Sequence, residues 1–271
     1  MTTTILGIII GIGVMIYAII EVARGDPGKV IGLKDMYLNM AAFLIVMGGM
    51  IASTLIAHPF PHIVRGFVAF FVVFIRKDQD FVSIISFMCD TSMAYAKNGI
   101  AGIEEQIKLY KKEDILKDGL TMIVNGYKME EVQECLEVNI QRRHDREMID
   151  YYVFRTMGKS APAFGMVGTL VGLIFMMRVL AESPEKIGPF LAVALVATFY
   201  GVVFANLIFN PMANKLLYQA EYNMRIGRME IEALEYIMKK QHPMYIKDRL
   251  VSYVPPNQRK RLYAENAKTK K

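Results

Sequence analysis

The sequence predicts an all-α, polytopic membrane protein with four transmembrane helices and a helical cytoplasmic domain. Three observations carry this. Residues 1–20, 36–64, 160–177 and 187–214 contain no Asp, Glu, Lys or Arg, and each run suits a bilayer-spanning helix, which needs roughly 20 mostly apolar residues. The runs fall into two pairs with a charged block between them. No segment shows the alternation of a β-strand, and 54% of the 271 residues are hydrophobic, so the spans leave no room for a large separate catalytic domain.

The expected organisation follows in chain order: helices one and two over 1–64, a cytoplasmic helical domain with an interfacial helix over 65–158, helices three and four over 159–214, and a C-terminal helix with a basic tail over 215–271. The first run lacks the basic start and small-residue cleavage motif of a leader, so it is expected to be retained. It carries Gly7 and Gly11, and the second run carries Gly48, Gly49, Ala52 and Ser53, small residues that let helices approach closely. After Pro59 and Pro61, the run Phe67–Ile75 is too short to span, ends in Arg76-Lys77 and is expected to lie along the inner interface. The central block reads as a helical bundle broken near Gly99, Gly119 and Gly126. From Met129 one long helix, with Val132, Leu136 and Ile140 on one face, feeds the third span with only Gly158 interrupting before Pro162.

Beyond the fourth span Leu217, Ala220, Met224, Gly227, Ile231, Leu234 and Met238 alternate three and four residues apart. This is a heptad seam, which fits packing on the chain's own bundle or on a neighbouring subunit. Cys89 and Cys135 are too few and isolated for a disulfide framework or a zinc site and read as buried small hydrophobes. His58, His62, His144 and His242 show no metal-ligand spacing; His58 and His62 suit an interfacial turn.

Basic residues set the orientation. Arg65, Arg76, Lys77, Arg142, Arg143, Arg146, Arg155 and Lys159 flank the central block, and Lys215, Arg225 and Arg228 follow the last span. Fewer sit in the hairpin loops: Arg24, Lys29 and Lys34 in one, Arg178 and Lys186 in the other. Both termini and the central block are therefore expected on the cytoplasmic side of the membrane. The formal net charge of +6 then faces anionic lipid rather than nucleic acid, and the tail from Arg259 reads as a lipid-proximal segment.

None of the apolar runs holds an Asp or Glu, although ion-carrying membrane proteins place such a group in the bilayer. Either the protein moves no ion or a partner supplies the carboxylate. Thr169 shares a small-residue stripe with Ala161, Gly165 and Gly172, and Thr198 shares one with Ala194, Gly201 and Ala205. Each hydroxyl can bond its own helix four residues back, a partner side chain, or a partly dehydrated cation. Pro162 opens the third span as a first-turn proline, and Pro211 closes the fourth inside a continuing helix, where it is expected to kink the chain. Both mark the cytoplasmic membrane level and could couple motion across it.

The segments Ser160-Ala161-Pro162, Gly165-Met166-Val167-Gly168-Thr169-Leu170-Val171-Gly172-Leu173, Gly188-Pro189, Ala192-Val193-Ala194-Leu195, Thr198, Tyr200-Gly201 and Asn210-Pro211-Met212-Ala213-Asn214-Lys215-Leu216 resemble the A subunit of the flagellar motor stator, the MotA/PomA family within the MotA/TolQ/ExbB superfamily. The resemblance covers nearly the whole chain, including a late Pro255-Pro256 element. With no Walker loop, nucleophile elbow or zinc spacing, no enzymatic activity and no cofactor are expected. What the resemblance implies is an inward flow of Na+ or H+ that drives torque, with a pentamer of this chain around a MotB/PomB-like B subunit that carries the ion-accepting Asp. Thr169 resembles the sodium-type members, and Thr198 is shared by both types. The family's conformational prolines match Pro162 and Pro211. The residues that engage the rotor protein FliG fall between Tyr95 and Glu104, with Lys97 and Glu104 as the charged pair. One departure is Ala96, which stands where the family carries its first basic residue. The alternatives are an ExbB/TolQ-like subunit that energises envelope transport, although those relatives have one span before the insert, and a membrane scaffold that conducts nothing.

Overall fold

A computed structural model describes residues 2–24, 38–75, 81–110, 114–180 and 187–254, with Pro256 and Arg259. Lys29, Lys34 and Lys186 in the hairpin loops, the Arg76-Lys77 pair, Pro255 and the tail from Lys260 onward lie outside the described residues. Among those described the chain is helical, with no strand. The elements are α1 (Thr2–Arg24), α2 (Met40–Ala57), α3 (Phe60–Ile75), α4 (Phe81–Asn98), α5 (Ile100–Leu109), α6 (Ile115–Val124), α7 (Met129–Leu180), α8 (Ile187–Val203), a π-helical turn (Phe204–Phe209), α9 (Asn210–Met238) and α10 (Pro243–Leu250).

Among the described residues three stretches are long and apolar enough to cross a membrane: Met40–Ala57, part of Met129–Leu180 and part of Ile187–Met238. The 23-residue α1 has matching length and carries no charge before Glu21. The chain divides into two compact units, one of residues 1–76 with 147–217 and the other of 77–146 with 218–271.

In the first unit, local chemistry fixes where α2 begins and ends. The Asn39 side chain accepts the Ala42 N–H at 3.0 Å and caps the start. Pro59 has no N–H and disfavours helical geometry at His58, where α2 stops. The next helix, α3, begins at Phe60 with Pro61 in its first turn, seven residues before Phe67, so position 64 falls inside it. Met50, Phe154, Met157, Ala161, Ala205 and Met212 form its main core. A second cluster joins Ala42 and Val46 to Val196 and Ala197. Ile9, Leu44, Ile56, Leu170 and Ile174 are exposed, as side chains that meet lipid or another apolar helix should be.

Two expectations about proline change here. Pro162 is interior to the continuous 52-residue α7 rather than in a first turn. Its ring costs one bond, to the Gly158 carbonyl, but the turns on either side hold the helix together. Nor does Pro211 stand in an uninterrupted α-helix. The turn before it widens, with the Asn210 N–H donating to Ala205 O five residues back, and the Asn206 side-chain amide donating to Val202 O at 3.1 Å. A widened turn relieves the clash between a proline ring and the carbonyl four residues back.

The second unit is a helical bundle built on Ile85, Met88, Leu116, Leu120, Leu136 and Leu234. Val132, Leu136 and Ile140 are buried, as are Ala220, Ile231 and Leu234 of the seam, so these seam positions pack within the chain's own bundle. Tyr222, Ile226, Met229 and Ile237 are buried as well, making the buried face of α9 wider than a heptad seam. Gly119 does not break a helix; it lies within α6, where an added Cβ would strike Leu234 and Leu136. The break falls earlier, where Asp114 caps α6 by accepting the Lys117 N–H at 3.3 Å. Cys135 is exposed rather than buried, and Cys89 is half-buried.

Candidate functional site

Glycines bring α7 and α8 into backbone contact. A Cβ on Gly201 would lie 2.6 Å from Ala161 O and 3.1 Å from Pro162 Cα, and one on Gly172 would lie 2.7 Å from Phe190 O. Only residues without a side chain allow this approach. The consequence is that Thr169 and Thr198, from facing helices, hydrogen-bond each other through their hydroxyls.

Two backbone carbonyls complete the group. Thr169 Oγ1 lies 3.1 Å from Gly165 O on its own helix and 3.1 Å from Ala194 O on the other. Thr198 Oγ1 lies 3.5 Å from each of the same carbonyls. Two hydroxyl protons are thus shared among four oxygens, two of them carbonyls within the helices, and each hydroxyl finds its acceptors inside the group. Both threonines are half-buried, neither sealed in the core nor on an open surface.

Pro162 faces Gly201, and Asn210, next to Pro211, lies against Gly158, where an added Cβ would come within 3.0 Å of Asn210 Cγ. The two prolines therefore sit about one turn apart along the α7 contact. Lys97 and Glu104 belong to the second unit. Lys97 is in the last turn of α4, Glu104 is in α5, and both are exposed. Between them Gly99, with φ +60°, makes a turn that a residue with a Cβ enters only under strain.

A second set of polar groups in the first unit carries no local sequence signal, because each pair joins positions about a hundred residues apart. Ser53 Oγ lies 3.0 Å from Ser160 Oγ, and His58 Nε2 lies 2.9 Å from Thr156 Oγ1. Arg65 Nε donates to Asp150 Oδ1 at 2.9 Å. Asp150 is buried, ahead of the charge-free run that begins at residue 160. Burial raises its carboxyl above the usual range, while Arg65 and His62 pull it down. These pairs tie α2 and α3 to α7.

A family model for the MotA/TolQ/ExbB proton channel family matches residues 109–229. Motility protein A of Aquifex aeolicus is 32% identical over 217 residues, 80% of this chain and 85% of that protein. The chemotaxis protein PomA of Vibrio alginolyticus is 30% identical over 256 residues, 94% of this chain and 96% of that protein. The fold also matches the flagellar MotAB stator complex of Bacillus subtilis, with a TM-score of 0.81 at 24% identity, covering 96% of this chain and 99% of that one. The chain belongs to the MotA/TolQ/ExbB family and, within it, to the motility protein A group of flagellar stator subunits.

Proposed function

We propose that the chain works in the bacterial inner membrane as the A subunit of a Na+-driven stator, with both termini and residues 77–146 in the cytoplasm. The observation that carries the choice of ion is the four-oxygen cluster of Thr169, Thr198, Gly165 O and Ala194 O. Na+ must exchange water for other oxygens, whereas a proton needs only a carboxylate. That carboxylate comes from a B-type subunit, a partner supported by the MotAB complex named for the Bacillus subtilis structure. Na+ enters from the periplasm, meets the carboxylate beside the two threonines and leaves past the level of Pro162 and Pro211. Each charge that crosses yields roughly 2.3 kcal/mol per 100 mV of membrane potential.

That energy turns a pentamer of this chain about its B subunits, and the cytoplasmic unit passes the torque to the rotor protein FliG through Lys97 and Glu104. Two helices, α1 and α2, precede the central insert, which favours a stator over an ExbB/TolQ-like transport unit. The role involves no covalent catalysis and no cofactor.

The test is rotation of tethered cells lacking their own stator and supplied with this chain and a B-type partner, with Na+ varied at constant ionic strength and membrane potential. Speed should follow Na+, and replacing Thr169 and Thr198 together by Ala should abolish that dependence while leaving assembly with the B subunit intact. Speed indifferent to Na+ would assign the proton instead.

A further inference from the structure

A cleft of about 650 Å3 runs along the second unit between α7 and α9, and its walls carry acid. Glu137 and Val138 line it from α7, and Met224, Arg228, Glu232 and Glu235 line it from α9. The α7 wall is acidic beyond the cleft itself: from Met129 to Gln141 it holds Glu130, Glu131, Glu134 and Glu137, all exposed, and no Lys or Arg. Acids in a first turn suit the positive end of a helix, but Glu134 and Glu137 lie past that turn. Among the described residues Glu137 has no cationic partner; it accepts the Gln133 amide at 2.9 Å. The chain as a whole has a formal net charge of +6, so this wall is a local separation of charge that a cationic occupant would offset.

A basic segment of the same chain starts at the rim of the cleft. Glu232 accepts the Tyr253 hydroxyl at 2.9 Å and the Tyr236 hydroxyl at 2.8 Å, which holds the short turn Val251–Tyr253 to α9. The next residue, Val254, is buried, and its carbonyl accepts Arg259 Nε at 3.0 Å. Residues 260–271 follow, outside the described residues, with five bases (Lys260, Arg261, Lys268, Lys270 and Lys271) against one acid, Glu265. Twelve extended residues reach up to about 40 Å, whereas Arg228 to Glu235 spans about 10 Å along α9. Distance is therefore no obstacle. Leu262 and Tyr263, next to the first two bases, match a cleft in which Val138 and Met224 lie among carboxylates.

We infer that residues 260–271 dock in this cleft of their own chain, with their bases against Glu137 and Glu235 and the Leu262-Tyr263 pair against Val138 and Met224. Anchoring at Tyr253 gives the segment an effective concentration of about millimolar at the site, which favours its own cleft over that of a neighbouring copy. Complementary charge sets where it lies.

The experiment treats the purified full chain with a zero-length carbodiimide, which joins an amine to a carboxylate in contact, and maps the products by mass spectrometry. Lys239 meets Glu235, so their product shows that the reagent works. Lys260 or Lys268 should join Glu137 or Glu235, with yields about two- to five-fold lower in about 1 M than in about 0.1 M salt, the scale of an exposed charge pair under screening. Glu137→Gln with Glu235→Gln should speed tryptic cleavage after Arg261 by a similar factor without lowering the unfolding temperature. Co-expressing that variant with a copy whose five tail bases are replaced by Gln leaves only inter-chain pairs, and products joining the tail to Glu137 or Glu235 should then vanish. Three results would overturn the docking: no product between the tail and the cleft while Lys239 joins Glu235, products that persist in the mixed pair, which assign the tail to a neighbouring copy, or protection of Arg261 that appears only with phosphatidylglycerol vesicles, which assigns the tail to lipid.

Discussion

Gly201→Ala tests whether the close approach of α7 and α8 builds the threonine site. The new Cβ would sit 2.6 Å from Ala161 O, about 0.8 Å inside the 3.4 Å at which ordinary contact begins, with Pro162 Cα at 3.1 Å and Gly165 Cα at 3.2 Å behind it. All three obstacles are backbone atoms, so no side chain can swing aside and the helices must separate. Overpacking of this kind costs about 1–3 kcal/mol. A rigid outward shift of about 0.8 Å would stretch the 3.1 Å approach of Thr169 Oγ1 to Ala194 O to about 3.9 Å, beyond hydrogen-bonding range. The variant should therefore insert in the membrane but lose Na+-dependent rotation. Thermal unfolding of the purified complex with its B partner and tethered-cell speed measure the two effects. Gly48→Ala serves as the control, because no atom lies within 4 Å of its added Cβ. A Gly201→Ala variant with parental unfolding and parental speed would refute the packing argument.

Other outcomes follow from the same physics. Burial raises the Asp150 carboxyl above its unfolded value, so its favourable contribution is complete below the unfolded value and is lost as pH rises through the folded one. Asp150→Asn should then be tolerated at neutral pH, with its difference from the parent shrinking towards pH 4, while Arg65→Ala leaves a buried carboxylate without that guanidinium and costs about 1–3 kcal/mol in chemical unfolding. Burial pushes the Cys89 thiol up to about 11, against a lowering by Lys247; maleimide at pH 7.5 should label the exposed Cys135 rapidly and Cys89 only on unfolding, as peptide mass mapping would show. Gly99→Ala should destabilise the cytoplasmic unit by about 1–3 kcal/mol because φ there is +60°, measured as earlier loss of helical circular dichroism on heating.

The apolar helices were legible because a run of about twenty residues without a charge is long enough to cross a bilayer, whereas a helix at a water-facing surface needs a polar side. The small-residue stripes showed that Thr169 and Thr198 face a helix, and the structure makes each the other's neighbour. Distant pairings were not legible: nothing local to His58 points to Thr156, nor Arg65 to Asp150, since each bond is made by the folding of two remote segments. Gly119 misled because a glycine that admits Leu234 and Leu136 reads in sequence like one that ends a helix. Pro162 misled in a similar way, since local rules favour prolines in first turns while the packing around Ala161 and Gly165 holds one mid-helix.

The widened turn at Phe204–Phe209 sets a rotational phase. Ala197, Gly201, Ala205, Phe209 and Ala213 are all buried, and four-residue steps drift by about 40° each on a regular helix of 3.6 residues per turn. Over that stretch a plain α-helix would turn the stripe almost to its opposite side. The slower winding of the π turn takes up part of that drift and keeps the small residues and Phe209 on one side. Deleting a single residue between Phe204 and Phe209 would remove the widened turn and leave the following helix close to its present phase, whereas inserting one would swing everything after it by about 100°. An added residue in this turn is therefore tolerated less well than a changed one, a constraint that single-residue insertions would reveal before substitutions did.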